Sequence, residues 1–169
     1  MYWGTVWLLQ LLHEVKGNWL LQKTTNNPSY PSFFNYFNPT EIDEIWITFP
    51  DPQLKGARAK KRLTHPKFLR LYQQILKPGG IIHLKTDSPD LYQFTKLVIN
   101  LFELPLLVDM DNVYAGANIK PELQIKTHYE GLDIAGSNRI HYLSFTINKE
   151  LPLALDAQLK SLLSEQEPD

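Results

Sequence analysis

The sequence predicts an α/β fold in which a mostly parallel sheet carries helices on both faces. Stretches with the composition of strands alternate along the chain with stretches of helical periodicity, an order typical of such sheets. Two of the predicted strands end at an aspartate, Asp51 and Asp87. Because ligands of these sheets lie beyond the carboxyl ends of the strands, both carboxylates are expected at one ligand-binding edge. The 169 residues suit a single domain, with residues 151–169 as a helical tail.

The first part of the chain predicts one helix and little other regular structure. Residues 4–16 have a broad apolar face at helical spacing, and Gly17 would end this helix. A short strand is expected at residues 18–23 and a short helix at residues 33–37. Residues 24–32 between them are polar and contain two prolines, which predicts a loop.

The middle of the chain predicts two strands with a helix between them. Residues 44–49 are rich in β-branched and aromatic side chains, and the Pro-Asp-Pro sequence around Asp51 ends this strand. A helix is expected to begin near Pro66, because proline is favoured in the first helical turn, and to end before Gly79-Gly80. Residues 81–86 form the second predicted strand.

The remaining elements continue the alternation. The predicted elements are a helix at 88–102, a strand at 104–108, a loop at 110–120, a short helix at 121–131, an edge or antiparallel strand at 139–147, and a helical tail at 151–164.

The composition is that of a soluble protein, and it excludes several classes of site. The chain has no cysteine, so disulfides, thiolate zinc sites and cysteine nucleophiles are excluded. The five histidines show no metal-ligand spacing, and no metal is expected. The longest apolar stretch near the start, residues 6–12, is far shorter than the roughly 20 residues of a membrane span. We therefore expect a cytoplasmic protein without a membrane partner.

Two neighbouring features predict a site for RNA. Asp51 is bracketed by prolines, which restrict its backbone, although a proline-rich turn closed by an aspartate explains the same pattern. Residues 55–62 follow, with five cations and no anion, whereas the whole chain has a net charge of −1. A run of charge is usually only a solvated surface, but at the ligand edge it suits phosphates. We call residues 55–62 the basic loop.

Two further segments allow both a functional and a structural interpretation. Asp87 can accept hydrogen bonds from a base edge or a ribose, or either Asp87 or Ser88 can cap the helix that follows. The sequence Thr127-His128-Tyr129-Glu130 places its first and last residues on one helical face or in a capping box.

Taken together, these segments resemble the bacterial tRNA (guanine-N7-)-methyltransferases in order and spacing over roughly residues 40 to 147. The resemblance is carried by Ile45 to Pro52, the basic loop, Lys61 to Pro66, Leu76 to Gly80, His83 to Asp87, and Thr127 to Glu130.

The resemblance implies a Rossmann-like fold and transfer of a methyl group from S-adenosyl-L-methionine to N7 of a guanosine in the tRNA variable loop. It also implies roles for individual residues. These are catalysis and cofactor binding by Asp51; cofactor binding by Thr127 and Glu130; substrate binding by Lys55, Asp87, Thr127, His128, Tyr129 and Glu130; and tRNA contact by Arg58, Lys60, Lys61 and Arg62.

The front of the chain departs from this family. The family's fold begins with a strand and a glycine-rich turn for the methionine part of the cofactor, then a second strand ending in an acid for the ribose. Neither motif is present, so the sequence predicts an N-terminally incomplete fold that begins with the helix after the second strand. Three readings stay open: an active methyltransferase, a truncated inactive member that keeps RNA binding, and an interaction module unrelated to RNA. The expected state is a monomer or a homodimer.

Overall fold

The computed structural model describes the backbone of residues 5–9 and 166 and, in full, residues 37–115, 119–125, 130, 136 and 138–165. The described strands are β1 (Thr5–Leu9), β2 (Ile42–Thr48), β3 (Leu76–Thr86), β4 (Leu106–Met110) and β5 (His141–Thr146). The described helices are α1 (Pro66–Ile75), α2 (Pro89–Leu101), the single turn α3 (Pro121–Gln124) and α4 (Leu155–Gln166), with 3₁₀ turns at Gly56–Lys61 and Val113–Ala115.

The five strands form one sheet in the order β1-β2-β3-β5-β4. Strands β1, β2 and β3 are parallel, whereas β5 is antiparallel to both of its neighbours. The mostly parallel α/β sheet predicted from the sequence is thus confirmed. Of the two alternatives for residues 139–147, the antiparallel strand is right and the edge strand is wrong, because β5 lies between β3 and β4.

The first described segment corrects the sequence prediction. Residues 5–9 form a strand, not part of a helix over residues 4–16, and they pair in parallel with β2 from Thr5 opposite Glu44 to Leu9 opposite Thr48. A short apolar run has no period that separates strand from helix, so pairing with β2 decides. The predicted strand at 18–23 and loop at 24–32, with all but Phe37 of the predicted helix at 33–37, lie outside the described residues.

Strand β3 is longer than predicted, since it begins at Leu76 instead of residue 81. The pairing of β2 with β3 is irregular at this point: Ile42 lies opposite Leu76, but Glu44 lies opposite Ile81. Gly79, with a φ of 78°, adopts a left-handed conformation that side chains disfavour. The Lys77–Gly80 stretch therefore ends α1, as predicted, and also enters the sheet.

The two sheet faces bury different side chains, because neighbouring residues of a strand point to opposite faces. Ile45 and Ile47 belong to the large core with α1, α2 and α4, whereas Trp46 packs in a smaller cluster with Leu123 and Tyr142. Among the described elements, the three longer helices thus share one face and the second carries only short elements, which differs from the helices expected on both faces. Within this part of the chain no helix is long and apolar enough to cross a membrane.

The C-terminal helix is fastened to the first face by one arginine. Arg70 on α1 donates from Nε to the Leu151 carbonyl at 2.8 Å and from Nη2 to Asp156 at 2.7 Å. Leu159 of α4 is 1% exposed and belongs to the same core as α1. Residues 151–166 therefore pack on the domain instead of extending from it.

Candidate functional site

The carboxyl ends of β2 and β3, with the residues that follow them, form an edge that we call the ligand rim. Thr48 lies opposite Lys85 near the ends of the two parallel strands, so Asp51 and Asp87 both follow at the same edge of the sheet. The prediction that the two strand-end aspartates share an edge is confirmed.

Residues 49–53 form a tight turn, the aspartate turn, at this rim. Phe49 and Gln53 both have a φ of 48°, which is uncommon for residues with side chains. The Phe49 amide donates to the Lys85 carbonyl at 2.8 Å and so ties the turn to β3. Asp51 accepts from the Gln53 amide at 2.8 Å and from the Gln53 side chain at 2.6 Å. The carboxylate therefore both closes its own turn and stays exposed at the rim.

Arg62 is buried and holds the aspartate turn in place by hydrogen bonds. It is 6% exposed, and it donates from Nε to the Pro52 carbonyl at 3.0 Å and from Nη2 to the Gln53 carbonyl at 3.2 Å. Its guanidinium also lies 4.5 Å from the centre of the Phe94 ring. These contacts turn Arg62 inward and differ from the exposed tRNA contact expected from the sequence. Contact of Arg62 with tRNA stays a prediction.

The other cations of the basic loop face solvent. The 3₁₀ turn Gly56–Lys61 is held by buried Ala59 and by the hydrogen bond from the Arg58 amide to the Lys55 carbonyl at 2.8 Å. Four side chains of this loop are exposed, namely Lys55, Arg58, Lys60 and Lys61. The structure thus places a short, ordered, positively charged surface directly after the aspartate turn.

Asp87 lies half-buried at the end of β3. Of the two residues proposed to cap α2, Ser88 does so, because its hydroxyl accepts from the Leu91 amide at 3.2 Å. This removes the capping explanation for Asp87 and leaves its predicted contact with a base or ribose as a prediction.

Glu130 and Lys85 meet in a buried polar network behind the aspartate turn. The Lys85 ammonium lies 2.9 Å from Glu130 Oε2, and their side chains are only 3% and 4% exposed. Tyr114 donates its hydroxyl to the other carboxylate oxygen of Glu130. Lys85 was part of a recognised motif but was not predicted as a site residue, although a lysine within a buried strand was a usable signal. Thr127, His128 and Tyr129 lie outside the described residues.

Two histidines are neutral structural groups. Burial lowers the pKa of His65, which caps α1, and of His83 to about 4, although Glu44 acts in the opposite direction on His83. His83 stacks on Trp46 with ring centres 4.0 Å apart. Among the described residues no cluster of acids and histidines could hold a metal ion.

The cofactor cradle implied by the resemblance does not fit the residues that follow β1. Strand β1 lies beside β2 with its carboxyl end, Leu9, opposite Thr48, and the residues that come after Leu9 lie outside the described part of the chain. The residues after β1 are Gln10 to Lys16, and the next glycine in the sequence is Gly17. A turn that packs against the methionine part of S-adenosyl-L-methionine needs glycines for close backbone approach.

Comparison with known proteins found related methyltransferases. A family model described as "Putative methyltransferase" matches residues 16–141. The chain is 42% identical over 135 residues to the tRNA (guanine-N(7)-)-methyltransferase of Porphyromonas gingivalis, which covers 79% of this chain and 52% of the relative. It is 40% identical over 115 residues to the protein of that name from Bacteroides thetaiotaomicron, covering 68% of this chain and 45% of the relative.

A third relative gives the same extent of overlap. The tRNA (guanine-N(7)-)-methyltransferase of Christiangramia forsetii is 38% identical over 112 residues, which covers 66% of this chain and 50% of the relative. The chain thus spans about half the length of the curated relatives it matches. Because the family model described as "Putative methyltransferase" matches most of this chain, the chain belongs to that methyltransferase family.

Proposed function

We propose that this protein acts as a tRNA (guanine-N7-)-methyltransferase, which methylates N7 of a guanosine in the tRNA variable loop. The observation that carries the proposal is that two features lie at the same rim. One is the exposed carboxylate of Asp51, whose direction is fixed by its hydrogen bonds, and the other is the set of exposed cations of the basic loop. The names of the relatives and the motif order support the same reaction. S-adenosyl-L-methionine is the methyl donor that this proposal requires, and tRNA in the cytoplasm is the partner.

The chemistry of guanine N7 suits a site built from positioning groups. N7 carries an in-plane lone pair, so no deprotonation precedes its attack on a methyl group, and orientation of the base is the main task. Methylation makes the purine cationic. A carboxylate held in a fixed direction at the rim, such as Asp51, stabilises that developing charge without acting as an obligate general base.

The remaining rim residues take the roles of substrate contacts in this proposal. Lys55, Arg58, Lys60 and Lys61 contact tRNA phosphates, since their side chains are exposed on the basic loop. Asp87 contacts the base or ribose. Residues 127–130 complete the substrate side.

A second function is favoured by the residues after β1. Without glycines between Leu9 and Gly17, the chain can keep RNA binding at the basic loop and yet transfer no methyl group. Titration with S-adenosylhomocysteine by calorimetry separates the two functions. Saturable heat supports the enzyme, whereas no heat at high protein concentration supports RNA binding alone.

The direct test measures methyl incorporation into unmodified tRNA by the wild type, Asp51→Asn and Asp43→Asn. Asp43 is the matched control, because it is an exposed carboxylate on the same strand, pairs with Lys77, and lies at the opposite end from the rim. We expect Asp51→Asn to lower kcat/KM by roughly 100-fold or more, the scale of one lost electrostatic contact in a transition state. Asp43→Asn should change it less than twofold. Equal activity of the two variants would refute the assignment of Asp51.

A further inference from the structure

The most completely satisfied buried charge among the described residues is the ammonium of Lys85. The residue is 2% exposed. Its three N–H groups donate to the Leu123 carbonyl at 2.9 Å, the Ile125 carbonyl at 3.1 Å and Glu130 Oε2 at 2.9 Å, and the Tyr114 hydroxyl is a fourth, more distant acceptor at 3.4 Å. A buried lysine is stable only when its charge is paired and its hydrogen bonds are made, and here both conditions hold.

These partners all lie between residues 114 and 130, and we call the described part of this stretch, residues 114–115, 119–125 and 130, the rim segment. Its described residues hold little regular structure of their own beyond the short turns Val113–Ala115 and Pro121–Gln124. Lys85 on β3 thus donates hydrogen bonds to two main-chain carbonyls and to the Glu130 side chain of the rim segment. Because one side chain is bonded to several positions of an irregular segment, it restricts the movement of that segment.

The same lysine is joined to the aspartate turn. Its carbonyl accepts from the Phe49 amide at 2.8 Å, and its ammonium lies 5.8 Å from the centre of the Phe49 ring. The Tyr114 ring lies at a similar distance, 5.7 Å, on the rim segment. Lys85 therefore connects the turn that carries Asp51 with the rim segment.

The carboxylate of Glu130 is engaged within the protein on both oxygens. Oε2 accepts from Lys85 and Oε1 accepts from the Tyr114 hydroxyl. Burial, followed by the hydrogen bond to Glu130, raises the pKa of Tyr114, so its hydroxyl remains a proton donor throughout the neutral range. This arrangement gives the Glu130 side chain an anchoring role between Lys85 and Tyr114.

We propose that Lys85 is a positioning residue, which fastens the rim segment to the ligand rim beside Asp51 and uses the Glu130 carboxylate as its anchor. The proposal rests on the proposed function, since it assigns the rim segment to the tRNA site.

The test is hydrogen exchange of peptides from the rim segment in Lys85→Met, Lys85→Arg, Glu130→Gln and the double variant Lys85→Met/Glu130→Gln. Lys96→Met is the matched control, because Lys96 also pairs with a carboxylate, that of Asp109 at 2.7 Å, but lies on α2. We expect Lys85→Met to speed exchange in the rim segment roughly tenfold or more, while peptides of β2 and β3 change little. Lys85→Arg should restore part of the protection.

The double variant tests the anchor. Lys85→Met takes the Lys85 cation away from the buried Glu130 carboxylate, whereas the double variant removes both charges. Exchange in the double variant should therefore be slower than the product of the two single effects predicts. Strictly multiplicative effects, unchanged exchange in Lys85→Met, or equal acceleration over the whole sheet would overturn the proposal. If Lys85→Met does not fold, Glu130→Gln and Lys85→Arg decide by the same criterion, acceleration confined to the rim segment.

Binding to unmodified tRNA separates this proposal from the proposed function. We expect Lys85→Met to weaken binding severalfold without changing the salt dependence, because Lys85 touches no phosphate; a direct phosphate contact would lower the salt slope by about one. A lowered slope would overturn the positioning role. If the wild type binds no tRNA, the proposed function fails, while the exchange data still decide whether Lys85 fastens the rim segment.

Discussion

Replacement of Arg62 by Met tests whether this cation supports the aspartate turn or meets tRNA. The change removes two hydrogen bonds, to the Pro52 and Gln53 carbonyls, and the contact with the Phe94 ring. Hydrogen bonds from a charged donor contribute about 1.5–3 kcal/mol each, and a cation on a ring about 1 kcal/mol. Pro52 and Gln53 are half-buried, so water replaces part of what is lost. We expect the free energy of unfolding to fall by about 3 kcal/mol.

The matched control is Lys61→Met, which removes the neighbouring, exposed cation. An exposed substitution of this kind changes stability by about 0.5 kcal/mol or less. Urea denaturation of both variants, monitored by circular dichroism, measures the difference in their free energies of unfolding. For tRNA, Lys61→Met should lower the salt slope of binding by about one, whereas Arg62→Met should weaken binding with the slope unchanged. The reasoning is refuted if Arg62→Met is as stable as Lys61→Met or lowers the salt slope as much.

Two further predictions concern stability. Thr64 and Thr95 share a buried hydrogen bond of 2.8 Å between their hydroxyls, so Thr95→Val should cost about 1–3 kcal/mol by leaving Thr64 unpaired. In urea titrations the double Thr→Val variant should lose less than the sum of the single variants, and simple additivity would contradict this. Burial lowers the pKa of His65 and His83 from 6.5 to about 4, so below pH 6.5 the unfolded chain binds more protons. The melting temperature should fall from pH 6.5 toward pH 4, and less steeply in His65→Asn, which keeps a capping oxygen; an unchanged slope in that variant would argue against His65.

The site residues predicted from the sequence divide according to whether their position depends on local order. Asp51 and Asp87 each end a strand of strongly β-forming residues, and parallel neighbours bring such ends to one edge. Their placement could therefore be predicted. Arg62 could not be distinguished from Lys61 in the same charge run, because the direction of its side chain depends on carbonyls of the aspartate turn and on Phe94 of a later helix.

The helix predicted for residues 4–16 failed for a related reason. Residues 6–9 are all apolar and show no period of two, which is also the pattern of a strand buried on both faces. These residues form a strand because they pair with the edge of β2, whose backbone groups need hydrogen-bond partners. That edge is built from residues more than 30 positions away along the chain.

By itself the sequence determined the family, the alternation of strands and helices, and the presence of a carboxylate followed by cations at the ligand rim. Each of these rests on neighbours in the chain: strand composition, proline and glycine positions, and spacing. Only the tertiary structure decided that β1 is a strand, that β5 is internal, that Arg62 points inward, and that Lys85 and Glu130 meet. Those outcomes depend on pairing and burial between distant segments, where the cost of an unsatisfied backbone group or charge selects one arrangement.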